Sequence, residues 1–444
     1  MTAERQPLSE PLEDLCLETI AQLVRCGESV DAVRIGCHII PAKDEDLAER
    51  LRRHWLAKGD FVSLRLLNRA LLLFSIQARS TVMRSMPIHL QIEHTSFCNA
   101  RCIMCDHAIA LNRGSRHLTP ELLSRLEPLL PFAEEVVLHG NGEPLLNPHL
   151  PEILGLYRHY DLRVSLNTNL SVLDKEIAAT LGELCNTLHV SCDGCTKNVY
   201  EGIRRGLDFG RFLSNLRLLN TIAPHMRKTL EVVVMRQNVL TLPDLVEFAA
   251  AWGFDTVKFN PLGVSGAIGN KDDAPGSFPR VARALCERAQ RKAEQLGITV
   301  LFPSLGEGEV ASECEISSFA ETVRFPDEAL FETLRTDNPT FTNVIARAPM
   351  TTGELTGSTE TPIEGICEYP FGKTYIDLEG NVSACCELSR RPLGRISDQT
   401  SFSAIWNGER YQALRRSYYG KNLPTVCQGC GLESQGALAF MRKD

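Results

Sequence analysis

A chain of 444 residues with 43% hydrophobic content is too long for one ordinary domain and apolar enough for substantial cores, so two or three domains are expected. Its net charge of −8 comes from 47 basic and 55 acidic residues, and its arginine pairs (Arg204-Arg205, Arg390-Arg391, Arg415-Arg416) are scattered, which leaves no electrostatic footprint for nucleic acid. No apolar run reaches the length of a membrane span and Met1-Thr2-Ala3-Glu4-Arg5 lacks a signal-peptide core, so a cytoplasmic protein without membrane contact is expected; its 16 cysteines then point to metal or redox use rather than a disulfide scaffold.

From Pro11 to about Met83 apolar residues recur largely at three- and four-residue intervals: Leu15, Ile20, Leu23 and Val24, then Leu47, Leu51, Trp55 and Leu56, then Leu64, Leu67, Leu71 and Leu72. This predicts a helical domain over residues 1–84, with Cys16, Cys26 and Cys37 as buried structural thiols. Pro87 ends it, and residues 88–95 alternate like a strand leading into a cysteine loop. Further strands are predicted at 135–138, 162–166, 187–191, 230–234 and 256–259, with helices between them at Glu121 to Leu130, Phe212 to Asn220 and Leu242 to Trp252. Alternating strands and helices argue for a parallel α/β sheet whose chemistry lies at the carboxyl ends of the strands. A helix from Pro279 to Leu296 and a strand at 298–302 complete a domain over 85–303. Residues 304–362 read as a linker or an active-site loop, and 363–444 as a small C-terminal α+β module. Cys286 and Cys314 read as structural or incidental.

The chemistry is concentrated in Cys98-x3-Cys102-x2-Cys105. Three thiolates in one short loop suit a cubic iron–sulfur cluster with one iron left without a protein ligand, whereas a structural zinc site closes its tetrahedron. At the end of the next strand, Gly140-Asn141-Gly142-Glu143-Pro144 offers glycines that allow close backbone approach and a carboxylate able to accept from an ammonium group. A second set, Cys367, Cys385, Cys427 and Cys430 with Cys386 alongside, combines a Gly380-x4-Cys385 turn with a Cys-x2-Cys knuckle and suits zinc or an iron–sulfur cluster. Cys192-x2-Cys195 reads as a plain turn, because the strand at 187–191 carries Cys185 to the opposite end of the sheet. His94, His107 and His139 read as satisfied structural histidines and Glu93 as a hydrogen-bonding support.

The Cys98/Cys102/Cys105 spacing followed by Gly142-Glu143 resembles the signature of the radical S-adenosylmethionine (SAM) enzymes. The resemblance implies a partial (β/α)6 TIM-type barrel in which a [4Fe–4S] cluster on those cysteines binds SAM through its open iron. It also assigns Gly142 and Glu143 to the SAM amino group, Ser191 to the ribose, Arg204 to the SAM carboxylate or the substrate, and the backbone of Phe259 to Leu262 to the adenine. Asn169, in Asn167-Thr168-Asn169, falls at the corresponding third strand end, and Met104 stands where an aromatic residue is common and packs on adenine. Cys367 through Cys430 with Ile405-Trp406-Asn407 between resembles the SPASM and twitch auxiliary-cluster modules. No cysteine follows Cys430, so the shorter twitch-like form with a second [4Fe–4S] cluster is expected.

Such an enzyme reduces its cluster with a flavodoxin or ferredoxin-type donor and generates a 5′-deoxyadenosyl radical. A helix-only N-terminal region favours a small-molecule substrate, expected to be a sugar or aminocyclitol-like natural product undergoing dehydrogenation, dehydration or epimerisation. The alternatives are a peptide- or protein-modifying maturase and, in another class, a non-catalytic iron–sulfur sensor that binds SAM. Cys386 reads as a buried thiol, an alternative ligand or a hydrogen-atom donor.

Overall fold

The computed structural model describes residues 32–35, 38–105, 116–263, 271–302, 305, 308–325, 367, 369–386, 388, 391–420, 424 and 427. They begin with an antiparallel hairpin, β1 (Ala32–Ile35) and β2 (His38–Pro41), followed by helices Glu45–Lys58 and Phe61–Gln77. The expectation of helix throughout residues 1–84 therefore fails here. Val33, Ile35 and Ile40 are β-branched and buried, and such side chains fit a half-buried pleated surface better than a helix. Between the two helices, Gly59 takes φ +66° and ends the first, while the Asp60 carboxylate accepts the Ser63 N–H and starts the second. The second helix is fastened to the next part of the chain: Asn68 Nδ2 donates to the Met86 and Phe132 carbonyls, and Arg69 pairs with Glu134. Cys16, Cys26 and Cys37 lie outside the described residues.

The remaining strands are β3 (His89–Ile92), β4 (Arg101–Cys102), β5 (Glu135–Leu138), β6 (Arg163–Thr168), β7 (Thr187–Ser191), β8 (Arg204–Arg205), β9 (Arg227–Val234), β10 (Thr256–Pro261), β11 (Thr299–Leu301), β12 (Lys373–Ile376), β13 (Asn381–Ser383) and β14 (Gly394–Arg395). A 10-stranded sheet runs in the order β11-β10-β9-β7-β6-β5-β3-β12-β13-β14. Pairing is parallel from β11 through β12 and antiparallel from β12 to β14. Among the described residues the sheet ends at β11 and β14 without closing, so the fold is a partial TIM-type barrel, with the expected strand at 298–302 present as its edge strand β11. The expected helix from Glu121 to Leu130 ends its α-helical part at Leu126 and continues as a 3₁₀ turn over Glu127–Phe132, where Pro128 and Pro131 remove backbone donors.

Along the parallel strands, Val136, Leu138, Val164, Leu166, Leu188, Val190, Leu230, Val232, Val257 and Phe259 are buried. The alternate positions include Glu135, Ser165, His189, Glu231, Lys258 and Asn260, so one face of the sheet is polar. His139, at the end of β5, is electrostatically coupled to Glu231 on β9 although β6 and β7 lie between them, which places both on a concave side of a curved sheet.

The C-terminal segment continues this sheet, because β12 pairs with β3 in register from Lys373↔His89 to Ile376↔Ile92. A clamp reinforces the join. Trp406 Nε1 donates to the Ser85 carbonyl (2.8 Å), and Asn407 accepts the Met83 N–H while donating to the Met83 carbonyl.

Candidate active site

The loop Phe97 to Cys105 sits at the carboxyl end of β3. Cys102 faces Arg204 across the short antiparallel β4–β8 ladder, and Ile103 N–H donates to the Ile203 carbonyl, so the loop is tied to the segment after β7. From the other side it is held by Asn99, whose side chain donates to Ser171 Oγ (2.8 Å) and accepts from Asn169 Nδ2 (3.2 Å). The turn after β5 lies against it: Glu143 N–H donates to the Phe97 carbonyl at 2.7 Å. A Cβ on Gly142 would stand 2.1 Å from the Thr95 carbonyl oxygen, so only glycine fits there.

Of the residues expected near SAM, Gly142, Glu143, Asn169, Met104 and Arg204 fall in or against this loop, and Ser191 lies at the end of β7. Glu143 is buried, and its carboxylate accepts from Thr168 Oγ1 (2.6 Å), Asn169 N–H (2.6 Å) and Leu145 N–H (3.2 Å). Burial raises its pKa and these three bonds work against the rise. Asn169 is thus drawn into the network that joins the turn to the cysteine loop. Met104 packs with Ile103, Ile203, Met235 and Leu262, which brings it to the end of β10. Ser191 is half-buried at the end of β7, in register with Glu231. Arg204 is turned inward: its Nη2 lies 2.8 Å from Asp193 Oδ2 and its Nη1 3.9 Å from Cys102 Sγ.

A polar group on the concave face had no motif to announce it. Glu231 accepts from Asn260 Nδ2 (2.6 Å), its Oε1 is 3.0 Å from His189 Nδ1, and Lys258 Nζ is 3.5 Å away. Burial alone would raise the Glu231 carboxyl, but His189, Lys258 and Asn260 bring it down to about 2. His139 faces the same group, and burial pushes its pKa down to about 4. A titratable residue between two apolar neighbours was the available signal: His189 between Leu188 and Val190, and Glu231 between Leu230 and Val232.

Other candidates take structural places. Burial pushes His94 down to about 3, and its ring bridges the Ile92 carbonyl and Tyr157 hydroxyl, each at 2.7 Å. Glu93 accepts Asn141 N–H (2.9 Å) and Leu378 N–H (3.4 Å), a support shared by the β5 turn and the C-terminal segment. Cys185 precedes β7 and Cys192 follows it; Cys192 Sγ donates to the Gly194 carbonyl at 3.2 Å. His107 lies outside the described residues.

In the C-terminal segment Gly380, at φ +78°, turns β12 into β13 and leads to Cys385. Cys385 is half-buried; desolvation, and after it the charges of Cys386, Cys367 and Cys427, drive its thiol far up, although among the described residues no three His, Cys, Asp or Glu side chains stand close enough together to hold a metal ion. Cys430 lies outside the described residues.

Residues 92–249 match the family model of the Radical SAM superfamily, and residues 367–431 match SPASM, an iron–sulfur cluster-binding domain. The chain thus carries a radical SAM domain and an iron–sulfur cluster-binding SPASM domain. Among curated relatives it is 29% identical over 161 residues to Fe-coproporphyrin III synthase of Methanosarcina barkeri, a match covering 34% of this chain and 39% of that protein. It is 28% identical over 186 residues to mycofactocin maturase MftC of Mycobacterium ulcerans (40% and 48%) and 25% identical over 181 residues to PqqA peptide cyclase of Rhodopseudomonas palustris (39% and 46%). The matches therefore span less than half of these relatives' own lengths. Among solved structures, SuiB of Streptococcus suis bound to S-adenosylmethionine shares the fold, with a TM-score of 0.54 at 15% identity over 97% of this chain and 88% of that one.

A radical SAM domain implies SAM and a [4Fe–4S] cluster, and the SPASM domain implies auxiliary cluster binding. The donor chemistry at the first loop suits that cluster, three free thiols in one loop, although among the described residues no three His, Cys, Asp or Glu side chains are gathered closely enough to hold a metal as they stand. Burial pushes the Cys98 thiol up to about 12 and raises Cys102, so neither ionises readily alone, and cluster iron is the countercharge that makes buried thiolates stable.

Proposed function

We propose that Cys98, Cys102 and Cys105 hold the SAM-binding cluster and that the chain modifies a peptide or protein by hydrogen abstraction at the polar concave face. When bound, cluster and SAM would supply the radical chemistry. The turn at Gly142 and Glu143, with Asn169, Ser191 and Met104, lines the SAM side of the pocket. Cys367, Cys385, Cys427 and Cys430 hold an auxiliary cluster, and a flavodoxin or ferredoxin-type protein delivers electrons.

The observation that carries the peptide reading is that two of the relatives, matched over 40% and 39% of this chain, are named a maturase and a peptide cyclase. The sugar-like substrate rested on an N-terminal region that is helix throughout, and the β1–β2 hairpin removes that support. A small-molecule substrate remains the second reading, since a third relative is named for a porphyrin.

On the concave face the residues have separable tasks. Glu231 holds His189, Asn260 and Lys258 in place, and a ring whose Nδ1–H rests on a carboxylate presents Nε2 as a proton acceptor. His189 is the base we assign for a heteroatom proton of the substrate.

The test is 5′-deoxyadenosine formation by anaerobically reconstituted protein with reductant and SAM. Precursor peptides encoded beside the gene are compared with amino sugars, cyclitols and coproporphyrins. Stimulation by a peptide is expected; stimulation by a small molecule alone would overturn the peptide assignment.

A further inference from the structure

We propose that Arg204 is a positioning residue for the SAM-binding cluster, acting on Cys102 to favour the reduced cluster rather than holding the SAM carboxylate. The inference rests on the assignment of Cys102 as a cluster ligand.

The ladder between β4 and β8 sets the geometry. Cys102 and Arg204 are direct partners in an antiparallel pair, so their side chains leave the ladder on the same face. Arg204 Nη1 reaches to 3.9 Å from Cys102 Sγ, within hydrogen-bonding range for sulfur. Its Nη2 is fixed at 2.8 Å on Asp193 Oδ2, and Asp193 Oδ1 accepts the Val233 N–H at 2.7 Å. The carboxylate is fully buried and the guanidinium 8% exposed, so water screens neither. Both terminal nitrogens are therefore engaged inside the protein, one on the carboxylate and one on the thiol that the cluster needs as a thiolate.

Reduction adds one electron from an external one-electron donor to the cluster and no proton to Arg204. The cluster becomes more negative by one charge, and a cation beside a ligand sulfur stabilises that state more than the oxidised one. Hydrogen bonds and net charge near the sulfurs are among the determinants of iron–sulfur potentials. Asp193 opposes Arg204 in this respect, because its negative charge offsets part of the cation's field while anchoring it.

The two residues thus predict shifts of opposite sign. The experiment is an EPR-monitored potentiometric titration of the reconstituted full chain without SAM, with iron and sulfide counted; the relevant signal is the one missing from the Cys98/Cys102/Cys105 triple alanine variant. Arg204→Gln is expected to lower the reduced-to-oxidised ratio at fixed ambient potential by about tenfold, equivalent to about 59 mV for one electron. Arg204→Lys keeps the charge and should fall between it and the wild type, and Asp193→Asn should raise the ratio. An unchanged potential in Arg204→Gln with full iron and weakened SAM binding would overturn the proposal in favour of a carboxylate-binding arginine. If Arg204→Gln fails to hold iron, Asp193→Asn and Arg204→Lys decide: a potential lowered or unchanged in Asp193→Asn overturns it. A wild type lacking the signal altogether would instead refute the cluster assignment.

Discussion

Arg204 and Arg415 are both buried, one beside the SAM-side cysteine loop and the other in the C-terminal module, and the chain surrounds them differently. Arg204 has Asp193 and Cys102 for company: burial works against its charge, but these anions outweigh it and raise its pKa above the ordinary value. Arg415 has no carboxylate among the described residues. Its guanidinium lies over the Trp406 ring (4.4 Å) and the Tyr411 ring (5.0 Å) and donates to the Pro370 and Thr81 carbonyls, while burial pushes its pKa down to about 9. A buried cation kept for its charge is given a counter-ion, whereas one kept for its reach is given carbonyls and aromatic faces. The first stands between Asp193 and Cys102, and the second fastens the C-terminal module to the segment before β3.

The comparison breaks first at Arg415. Arg415→Ala should destabilise the fold by about 3 to 5 kcal/mol, since it leaves a cavity and two buried carbonyls without donors. Denaturant unfolding measures it, and a loss under about 1 kcal/mol would show that the clamp at Trp406 and Asn407 suffices alone.

Next in size is acid sensitivity. Glu231 and Glu135 are each held down to about 2 against a usual 4.5, so each stabilises the fold above the usual value and loses that contribution as the pH falls through about 2. The loss for Glu231 is on the order of 3 kcal/mol across that window, and Glu231→Gln should flatten the stability-against-pH curve between about pH 4.5 and 2 by that amount. An unchanged curve would mean that Glu231 is not held by His189, Lys258 and Asn260.

Gly142→Ala should cost about 1 to 3 kcal/mol and reduce iron in the SAM-side cluster, because the new methyl displaces the Thr95 and Phe97 backbone. Wild-type stability with full iron would place the turn away from the loop. At the small end, Cys195→Ala should change stability by under about 0.5 kcal/mol and leave the iron count as it was. Lost iron there would restore Cys192-x2-Cys195 as a ligand pair.

Legibility in the sequence followed the range of the interactions. The cysteine loop, the glycine turn and the parallel strands depend on local spacing and alternation, and the sheet places them as read. The β1–β2 hairpin did not show, because Val33, Ile35 and Ile40 are too few to establish a two-residue period beside long helices. The inward turn of Arg204 was also hidden: its partner Asp193 sits eleven positions away and its other partner, Cys102, lies across a ladder of two residues per strand. His189, Glu231 and Lys258 come from three strands, and only the sheet's curvature sets His139 against them.

The measurement that tests the account most directly is anaerobic iron and sulfide content with EPR, comparing the wild type with the Cys98/Cys102/Cys105 triple alanine variant. About eight irons falling to about four, with loss of SAM cleavage, is the predicted result. Iron content and SAM cleavage that survive the triple substitution would contradict it.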